Sequence, residues 1–355
     1  MPRCFVHGAG LRMGWADMQF SLPELIYQAV SAALEDSRRH IGEIDSVVLS
    51  AHDLVDGRSL SSMVTAPAAG AYLKEEIRLA EDGLAAVSLG SAQIEAGEAE
   101  LSIVAAWGRA SEGDHEHTSR AMLDPFMLQP FALDELSISS LRLSEWIARH
   151  GECRESRQRA VAARAGRAGR NSRSVQANVR PRVEFPLHAS EAPRFADVAA
   201  AVILGRQESP VCITGVGHSA ESGELGSRKL GAMRALREAV SRGLAASRTT
   251  IEQMHLLQLP GPTVPDEALA LEVLDLAAPG EAFEMYASLA HINPSGGGES
   301  GWCFPTVGLL NFIECYLQLT GQAGDVQLAD RQRAMALGVS PAGAQIAHAV
   351  VLEAA

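Results

Sequence analysis

The sequence predicts an α/β protein with two similar halves. Two stretches about two hundred residues apart, 21–50 and 229–260, each read as an amphipathic helix, a polar break and a short β run. A strand interrupted by glycines precedes each of them, CFVHGAG at 4–10 and VCITGVG at 211–217. Because both halves begin with the same order of strand, loop, helix and strand, we interpret the chain as a duplicated fold.

The first half continues with a buried helix and two central strands. Small residues dominate DGLAAVSLGSAQIEA at 82–96, which predicts a helix buried on most of its circumference. LSIVAAW at 101–107 is almost entirely apolar and predicts a central strand. A second apolar run, FADVAAAVILG at 195–205, predicts the strand that closes this half.

Residues 108–195 interrupt the repeated pattern. Within them, CRESRQRAVAARAGRAGRNSR predicts an Arg-rich helix, and the segment is broken by Pro125, Pro130, Pro181 and Pro186. We therefore place an insertion in the first half. We expect a first domain at 1–208, which includes this insertion at about 108–195, and a second domain at 209–355.

The composition is that of an ordinary globular protein, with 47% hydrophobic and 21% charged residues in 355. A net charge of −13 repels phosphate backbones, so we expect no nucleic-acid partner. The five cysteines lack C-x-x-C spacing, which favours a reducing cytoplasm over a disulfide framework or a metal site. No apolar run approaches the ~20 residues of a membrane span.

Motifs near the C-terminus resemble those of the thiolase superfamily. HINPSGGGESG at 291–301, followed by a helix ending in LNFIECYLQLTGQAG, resembles the active-site region of the sterol-carrier-protein type, the lipid-transfer thiolase-like proteins. The likeness extends over nearly the whole chain through IEAGEAELSIVAAWGRASEG, RHGECRESRQRAVAARAGRAGRNSRS and FPLHASEAPRFADVAAAVILG. The resemblance implies a five-layered αβαβα fold of two similar halves, in which the insertion is a loop domain.

The resemblance implies a cysteine-dependent site, but the reactive residues are replaced in this chain. Ala80 takes the position of the nucleophilic cysteine before a helix N-terminus, which would stabilise a thiolate. Trp302 takes the position of the activating histidine, and Ser340 that of the acid/base cysteine. LPGP at 259–262 replaces the turn whose Asn or His holds an oxyanion-hole water. We therefore expect no Cys-dependent Claisen condensation.

Residues close to these segments are catalytic candidates. Glu81 and Asp82 lie at the vacated helix N-terminus, where they stabilise the helix or one of them serves as a general base. His291 precedes the glycine-rich turn, and the alternative is a hydrogen-bonded structural histidine. Cys303 lies in the altered histidine segment as a displaced nucleophile or a small buried hydrophobe.

Two groups of residues are predicted to bind a coenzyme A thioester, as substrate or ligand, and no covalently bound cofactor is expected. The turn allows close approach of the backbone to an acyl or pantetheine group, through Ser295, Gly296, Gly297 and Gly298. The Arg-rich helix either presents a solvated face or, as the resemblance implies, holds the nucleotide through Arg154, Arg157 and Arg159.

Three functions remain open. The first is a thiolase-like protein of lipid metabolism that binds acyl-CoA and works in a complex with a catalytic thiolase homologue or a small zinc-ribbon/OB-fold protein. It would carry out acyltransferase-related or carbon–carbon bond chemistry without the cysteine nucleophile, or the partner would carry out that chemistry. The second is a CoA-thioester retro-aldolase resembling those of steroid side-chain breakdown. Those enzymes use tyrosine-type acid/base groups, for which this chain offers Tyr72, Tyr286 and Tyr316. The third is a non-catalytic acyl-CoA or lipid carrier.

The resemblance also implies a homodimer. In such proteins the strand before the nucleophile helix lies at the sheet edge and pairs with its two-fold mate, and here KEEIRL at 74–79 takes that place. An unpaired edge strand promotes aggregation, so pairing is physically expected. Antiparallel self-pairing can set Lys74 against Glu75 or Glu76 across the axis. We therefore predict a cytoplasmic homodimer.

Overall fold

The computed structural model describes residues 3–16, 19–57, 62–329 and 331–355, with only the backbone at 341 and 342. The strands are β1 (Cys4–Gly14), β2 (Ser46–Ser50), β3 (Glu75–Leu79), β4 (Leu101–Arg109), β5 (Asp197–Gly205), β6 (Val211–Ala220), β7 (Leu256–Gln258), β8 (Arg333–Val339) and β9 (Ile346–Ala354). The helices are α1 (Leu22–Ser37), α2 (Asp53–Asp56), α3 (Ser62–Thr65), α4 (Gly83–Ala96), α5 (His115–Ala121), α6 (Glu135–His150), α7 (Arg154–Arg170), α8 (Arg234–Ser247), α9 (Val264–Val273), α10 (Ala282–Ser288), α11 (Val307–Leu319) and α12 (Pro341–Ala344).

The strands of the described residues form one mixed sheet, in the order β3-β2-β4-β5-β1-β6-β9-β8-β7. It consists of two half-sheets, because β1 and β6 pair only over Cys4–Val6 and Val211–Ile213. β5 is antiparallel to both β1 and β4, and β9 is likewise antiparallel to both β6 and β8. The next pairs, β4 with β2 and β8 with β7, are both parallel. The predicted duplication is confirmed.

Glycines in β1 and β6 let these strands approach their helices in the same way. A Cβ at Gly10 would lie 2.0 Å from the carbonyl oxygen of Ala29 in α1. A Cβ at Gly217 would lie 1.9 Å from the carbonyl oxygen of Ala239 in α8. No side chain fits at these distances, so the glycine spacing seen in the sequence is required by helix packing in both halves.

The half-sheets and helices form five layers. Helix α1 packs on the outer face of the first half-sheet, and α8 packs on the outer face of the second. Between the half-sheets lie α4 and α11, whose residues Leu84, Val87, Leu309 and Phe312 share one buried cluster with side chains of both. The αβαβα arrangement implied by the resemblance is confirmed. Across the described ranges, none of the helices has the length and apolar character needed to cross a bilayer.

Strand β3 lies at the outer edge of the first half-sheet, as predicted. It pairs in parallel with β2, from Ser46 opposite Glu75 to Ser50 opposite Leu79, and within the described residues it has no second neighbour. Glu75 and Glu76 are exposed. The unpaired side of β3 is therefore open to another strand, which keeps the dimer a prediction rather than a finding.

Candidate active site

Three of the four altered segments border two small cavities that meet at Glu135. The first cavity is lined by 302–304, from the altered histidine segment. The second is lined by 260–262, and by 339 and 343–344 from the altered cysteine segment. Each has a volume of about 30 Å³, which is room for about one water molecule. Within the described ranges, His, Cys, Asp and Glu form no cluster of three or more that could hold a metal ion.

The fourth altered segment, at the start of α4, is closed by a carboxyl group. Asp82 accepts a hydrogen bond from the Leu84 amide at 2.9 Å, and its other oxygen accepts one from the Gly308 amide of α11 at 2.9 Å. Two helix N-termini therefore share one buried acid. Burial raises the pKa of Asp82 to about 7 in spite of these hydrogen bonds. Asp82 has the helix-capping role predicted for an acid at this position.

The other residues at the replaced positions lie outside both cavities. Ala80 is exposed in the turn that follows β3. The Glu81 carboxylate accepts a hydrogen bond from the Asp82 amide at 3.0 Å, and burial raises its pKa. Ser340 is buried, and its hydroxyl accepts a hydrogen bond from the Ile346 amide at 3.2 Å. Glu81, a predicted general base, therefore faces its own backbone.

Glu135 is the first residue of α6 and lines both cavities. It is 8% exposed, and its Oε2 has no hydrogen-bond partner among the described residues. Burial raises the pKa of Glu135 to about 8, reinforced by the carboxylates of Asp266 and Asp134 and opposed by Arg142. At neutral pH this side chain is a neutral carboxylic acid that can donate a proton into the cavity.

His115 begins α5 and lines the first cavity together with Glu135. Its ring lies edge-on to Trp302, with centroids 4.8 Å apart, and 4.9 Å from Phe195. Its Nε2 is closed to solvent and has no partner among the described residues. Burial lowers the pKa of His115 to about 4, against the opposing effect of nearby carboxylates. The neutral ring has one nitrogen able to accept a proton.

A hydrogen bond fixes α5 against the start of α6. The Glu135 amide donates to the Ser119 hydroxyl at 2.8 Å. Arg109, at the end of β4, also lines the first cavity, and it forms an ion pair with Glu112 at 2.6 Å. A protonated acid, a neutral imidazole and a guanidinium therefore share one largely apolar cavity.

Cys303 does not form a reactive thiolate. The residue is buried, and its thiol donates to the Phe304 carbonyl at 3.4 Å. Burial raises the pKa of the Cys303 thiol far above its usual value. Because the thiol is buried and donates to a backbone carbonyl, it stays protonated, which favours the small buried hydrophobe over the predicted displaced nucleophile.

The glycine-rich turn packs against helix α7. A Cβ at Gly296 would lie 2.6 Å from Ala168, and a Cβ at Gly298 would lie 2.2 Å from the Arg164 guanidinium. These glycines are therefore required by the contact with α7, which differs from the predicted approach to a ligand. The turn also borders a third internal cavity of about 30 Å³, which is lined by Ser295, Gly297 and Gly298.

The predicted phosphate-binding arginines divide between core and surface. Arg157 is buried and donates to both carboxylate oxygens of Glu191, at 2.8 and 2.7 Å. Arg159 is exposed and forms an ion pair with Glu284 at 2.7 Å, and Arg154 is exposed. Arg157 is therefore not available to a phosphate, and the solvated face weighed as the alternative applies to Arg154 and Arg159 but not to Arg157.

The remaining candidates lie away from Glu135. His291 is partly buried, and burial and neighbouring arginines lower its pKa. The Tyr286 hydroxyl is buried and donates to Glu267, and that of Tyr316 is bound to Asp36. Tyr72 is exposed. His291 and these phenols line neither cavity, so the structure gives no support to a tyrosine-based acid or base there.

Glu135 and His115 escaped the sequence analysis because both lie in the insertion, outside the motifs that carry the resemblance. One local signal was available. Each is the first residue of a helix and follows a capping aspartate, Asp134 or Asp114. An acid or histidine at such a position is normally exposed, and here segments distant in the sequence cover both, as Phe195 and Trp302 do for His115.

Solved structures of similar fold cover nearly the whole chain. The Ltp2-ChsH2(DUF35) aldolase has 17% sequence identity and a TM-score of 0.77, over 99% of this chain and 98% of that one. Human mitochondrial 3-ketoacyl-CoA thiolase in complex with CoA has 16% identity and a TM-score of 0.75, over 100% and 98%. The Bacillus anthracis acetyl-CoA acetyltransferase has 13% identity and a TM-score of 0.73, over 100% and 99%. At these identities the likeness shows the fold alone.

Sequence comparison gives one family. The profile described as thiolase C-terminal domain-like matches residues 217–353, which contain most of β6 and all of β7 to β9. No curated protein has a significantly similar sequence. This chain therefore has the thiolase fold, and its second half matches the thiolase C-terminal domain-like family.

Proposed function

We propose that this protein binds CoA thioesters and acts on a carbon–carbon bond in the manner of an aldolase, without a cysteine nucleophile. The observation that carries the proposal is Glu135, a buried acid with an unpaired oxygen in cavities bordered by the segments that replace the thiolase motifs. The similarity in fold to an aldolase as well as to thiolases supports the same conclusion.

Aldol-type cleavage suits the groups that are present. Thiolysis needs a thiolate, and the cysteine nearest to the cavity, Cys303, is held as a buried thiol. Cleavage of a β-hydroxyacyl thioester instead needs proton transfers and stabilisation of an enolate. Glu135 supplies a proton, and the Arg109 guanidinium in the same cavity supplies positive charge for the enolate oxygen.

Entry of an acyl group requires α5 to move. The cavity has room for about one water molecule. Five of its lining residues belong to α5 or lie immediately beside it: Gly113, His115, Thr118, Ser119 and Met122. Since α5 is a helix of seven residues, its outward displacement is the simplest way to admit a substrate.

The chemistry is tested with 3-hydroxy-3-phenylpropanoyl-CoA, whose cleavage gives acetyl-CoA and benzaldehyde. We expect mass spectrometry to detect both products, with and without prior treatment of the protein with N-ethylmaleimide. Acetoacetyl-CoA with free CoA serves as the comparison, and we expect no thiolysis. An acyl group trapped on any cysteine would refute the proposal.

We propose that the nucleotide of CoA lies against the exposed arginines of α7. Calorimetry with CoA and dephospho-CoA tests this on a variant that combines Arg154→Ala and Arg159→Ala. The matched control is Arg237→Ala, because Arg237 forms an equally exposed ion pair, with Asp275. Unchanged CoA affinity in the double variant would exclude α7 as the phosphate site.

We also propose that the protein works in a complex with a small zinc-ribbon/OB-fold protein or a catalytic thiolase homologue. The name of the Ltp2-ChsH2(DUF35) aldolase joins two proteins, which supports a partner here. The insertion exposes large apolar side chains that such a partner would cover: Phe126, Met127, Phe131 and Phe185. Co-expression followed by size-exclusion chromatography tests the complex, and separate elution would contradict it.

Self-association through β3 is the last part of the proposal. Light scattering should give a dimer near twice 37.6 kDa. Ile77→Pro should give monomer or insoluble material, because it removes a ladder donor in the edge strand. A soluble wild-type monomer would contradict both the dimer and the role of this edge.

A further inference from the structure

We infer that Glu135 and His115 are the acid and base of this site, with Glu135 exchanging the proton at Cα of the thioester and His115 that of the β-hydroxyl group. The inference rests on the proposed function. Both residues line the same cavity, and each holds an atom closed to solvent and without a partner among the described residues, Oε2 and Nε2.

Unpaired buried polar atoms indicate a missing partner. A buried polar atom without a hydrogen bond destabilises the fold, so two in one cavity call for a water or a ligand that satisfies them. The hydrogen bond from the Glu135 amide to Ser119 holds α5 and α6 together at this point. Once α5 has admitted a substrate and returned to this position, the substrate contacts both side chains.

The protonation states of the two groups are complementary. Burial raises the pKa of Glu135 to about 8, with Asp266 and Asp134 adding to the shift and Arg142 opposing it. Burial lowers the pKa of His115 to about 4, opposed by Asp134 and Asp114. Near pH 7 the carboxyl group thus holds a proton while the imidazole is free to accept one. Two titratable groups whose surroundings separate their pKa values in this way are suited to act as acid and base.

The steps balance without an oxidant or a metal ion. His115 takes the β-hydroxyl proton, the oxygen forms a carbonyl at Cβ, and the Cα–Cβ bond breaks with its electron pair passing to Cα. Glu135 then delivers its proton to Cα, and the proton on His115 returns to Glu135. The net reaction is a β-hydroxyacyl thioester giving an acyl thioester and a carbonyl compound.

The aromatic surroundings of His115 indicate which fragment leaves. Phe195 and Trp302 lie 4.9 and 4.8 Å from its ring, centroid to centroid, and both are buried. Since His115 takes the β-hydroxyl proton, Cβ of the bound substrate lies beside these apolar side chains. We expect 3-hydroxy-3-phenylpropanoyl-CoA to be cleaved faster than 3-hydroxybutanoyl-CoA, because its leaving fragment is the more apolar.

Hydrogen exchange at Cα separates the two roles. Acetyl-CoA in D2O reports the Cα step by itself, through incorporation of deuterium measured by mass spectrometry. Glu135→Gln should slow exchange by about 10²-fold or more, while Glu135→Asp retains part of it. His115→Asn should lower cleavage of 3-hydroxy-3-phenylpropanoyl-CoA far more than it lowers exchange. The matched controls are Glu116→Gln and His117→Asn, the next two residues of α5, which line neither of the two cavities that meet at Glu135.

The pH profile of exchange gives a second readout. Exchange begins with removal of a proton by the Glu135 carboxylate, so its rate should rise with pH and level off above about pH 8. Binding of acetyl-CoA without exchange, or exchange in Glu135→Gln equal to the wild type, would overturn the assignment of Glu135 as the group that acts at Cα. The proposed function would then still stand. If neither acetyl-CoA nor 3-hydroxy-3-phenylpropanoyl-CoA binds in calorimetry, the proposed function is overturned and this inference with it.

Discussion

Replacing Asp82 by Asn should change how the stability of the protein depends on pH. Burial raises the pKa of Asp82 from 3.8 to about 7 in the fold. The folded chain therefore binds this proton more tightly than the unfolded chain does. The free energy of unfolding therefore falls as pH rises from 3.8 to about 7, because the carboxyl group is ionised more readily in the unfolded chain than in its buried position.

The size of the effect follows from the shift. Each pKa unit corresponds to about 1.4 kcal/mol, so the full shift is on the order of 4 kcal/mol. This contribution is complete below pH 3.8 and is lost as pH rises towards 7. Asp82→Asn removes the ionisation, and one amide oxygen still accepts a helix-capping hydrogen bond.

Urea unfolding of both proteins at a series of pH values between 4 and 8 measures this difference. We expect the stability of Asp82→Asn relative to the wild type to increase by about 4 kcal/mol over the series. The control is Asp114→Asn, because Asp114 caps α5 from an exposed position through the His117 amide at 3.0 Å. Parallel pH profiles for wild type and Asp82→Asn would show that the helix amides stabilise the charge fully, and would refute the reasoning.

Three further predictions follow from packing. Arg157→Ala should lower the free energy of unfolding by about 3–5 kcal/mol because it leaves a buried carboxylate unpaired, whereas the exposed Arg159→Ala should change it by less than about 1 kcal/mol in the same urea assay. Iodoacetamide should label Cys153 first, since the other cysteines are buried, and mass spectrometry of the native protein detects this. Gly308→Ala places a Cβ 1.8 Å from a carboxylate oxygen and should greatly lower the melting temperature, whereas Gly14→Ala, with no atom within 4 Å, should not.

The fold was predictable because its signals are local and repeated. The glycines of β1 and β6 stand at fixed spacing, and each repeat places the same helix after the same strand. Helix α4 spans Gly83–Ala96, within the range 82–96 predicted from small residues alone. The boundary between the halves near residue 208 and the cytoplasmic location stay predictions.

The site was less predictable because it depends on contacts between distant segments. The sequence shows which reactive residues are replaced, at Ala80, Trp302 and Ser340, but not what replaces their chemistry. The arginines of α7 illustrate the difficulty, since helical spacing does not tell whether Arg157 meets solvent or Glu191. Arg157 and Glu191 are both buried because the segment that carries Glu191, 34 residues further along the chain, packs against α7.

The central helices give a reason for placing the proposed chemistry in the insertion. A thiolate at the start of α4 would need the positive end of the helix and its free amides. Here the Asp82 carboxyl group already accepts from one amide of each helix, those of Leu84 and Gly308. A Cβ at Gly308 or Gly338 would meet the same carboxylate, so no side chain fits there. A second anion there would face like charge in a buried site. The acid/base groups that we propose therefore lie away from α4, in the cavity that His115 of α5 and Glu135 of α6 line.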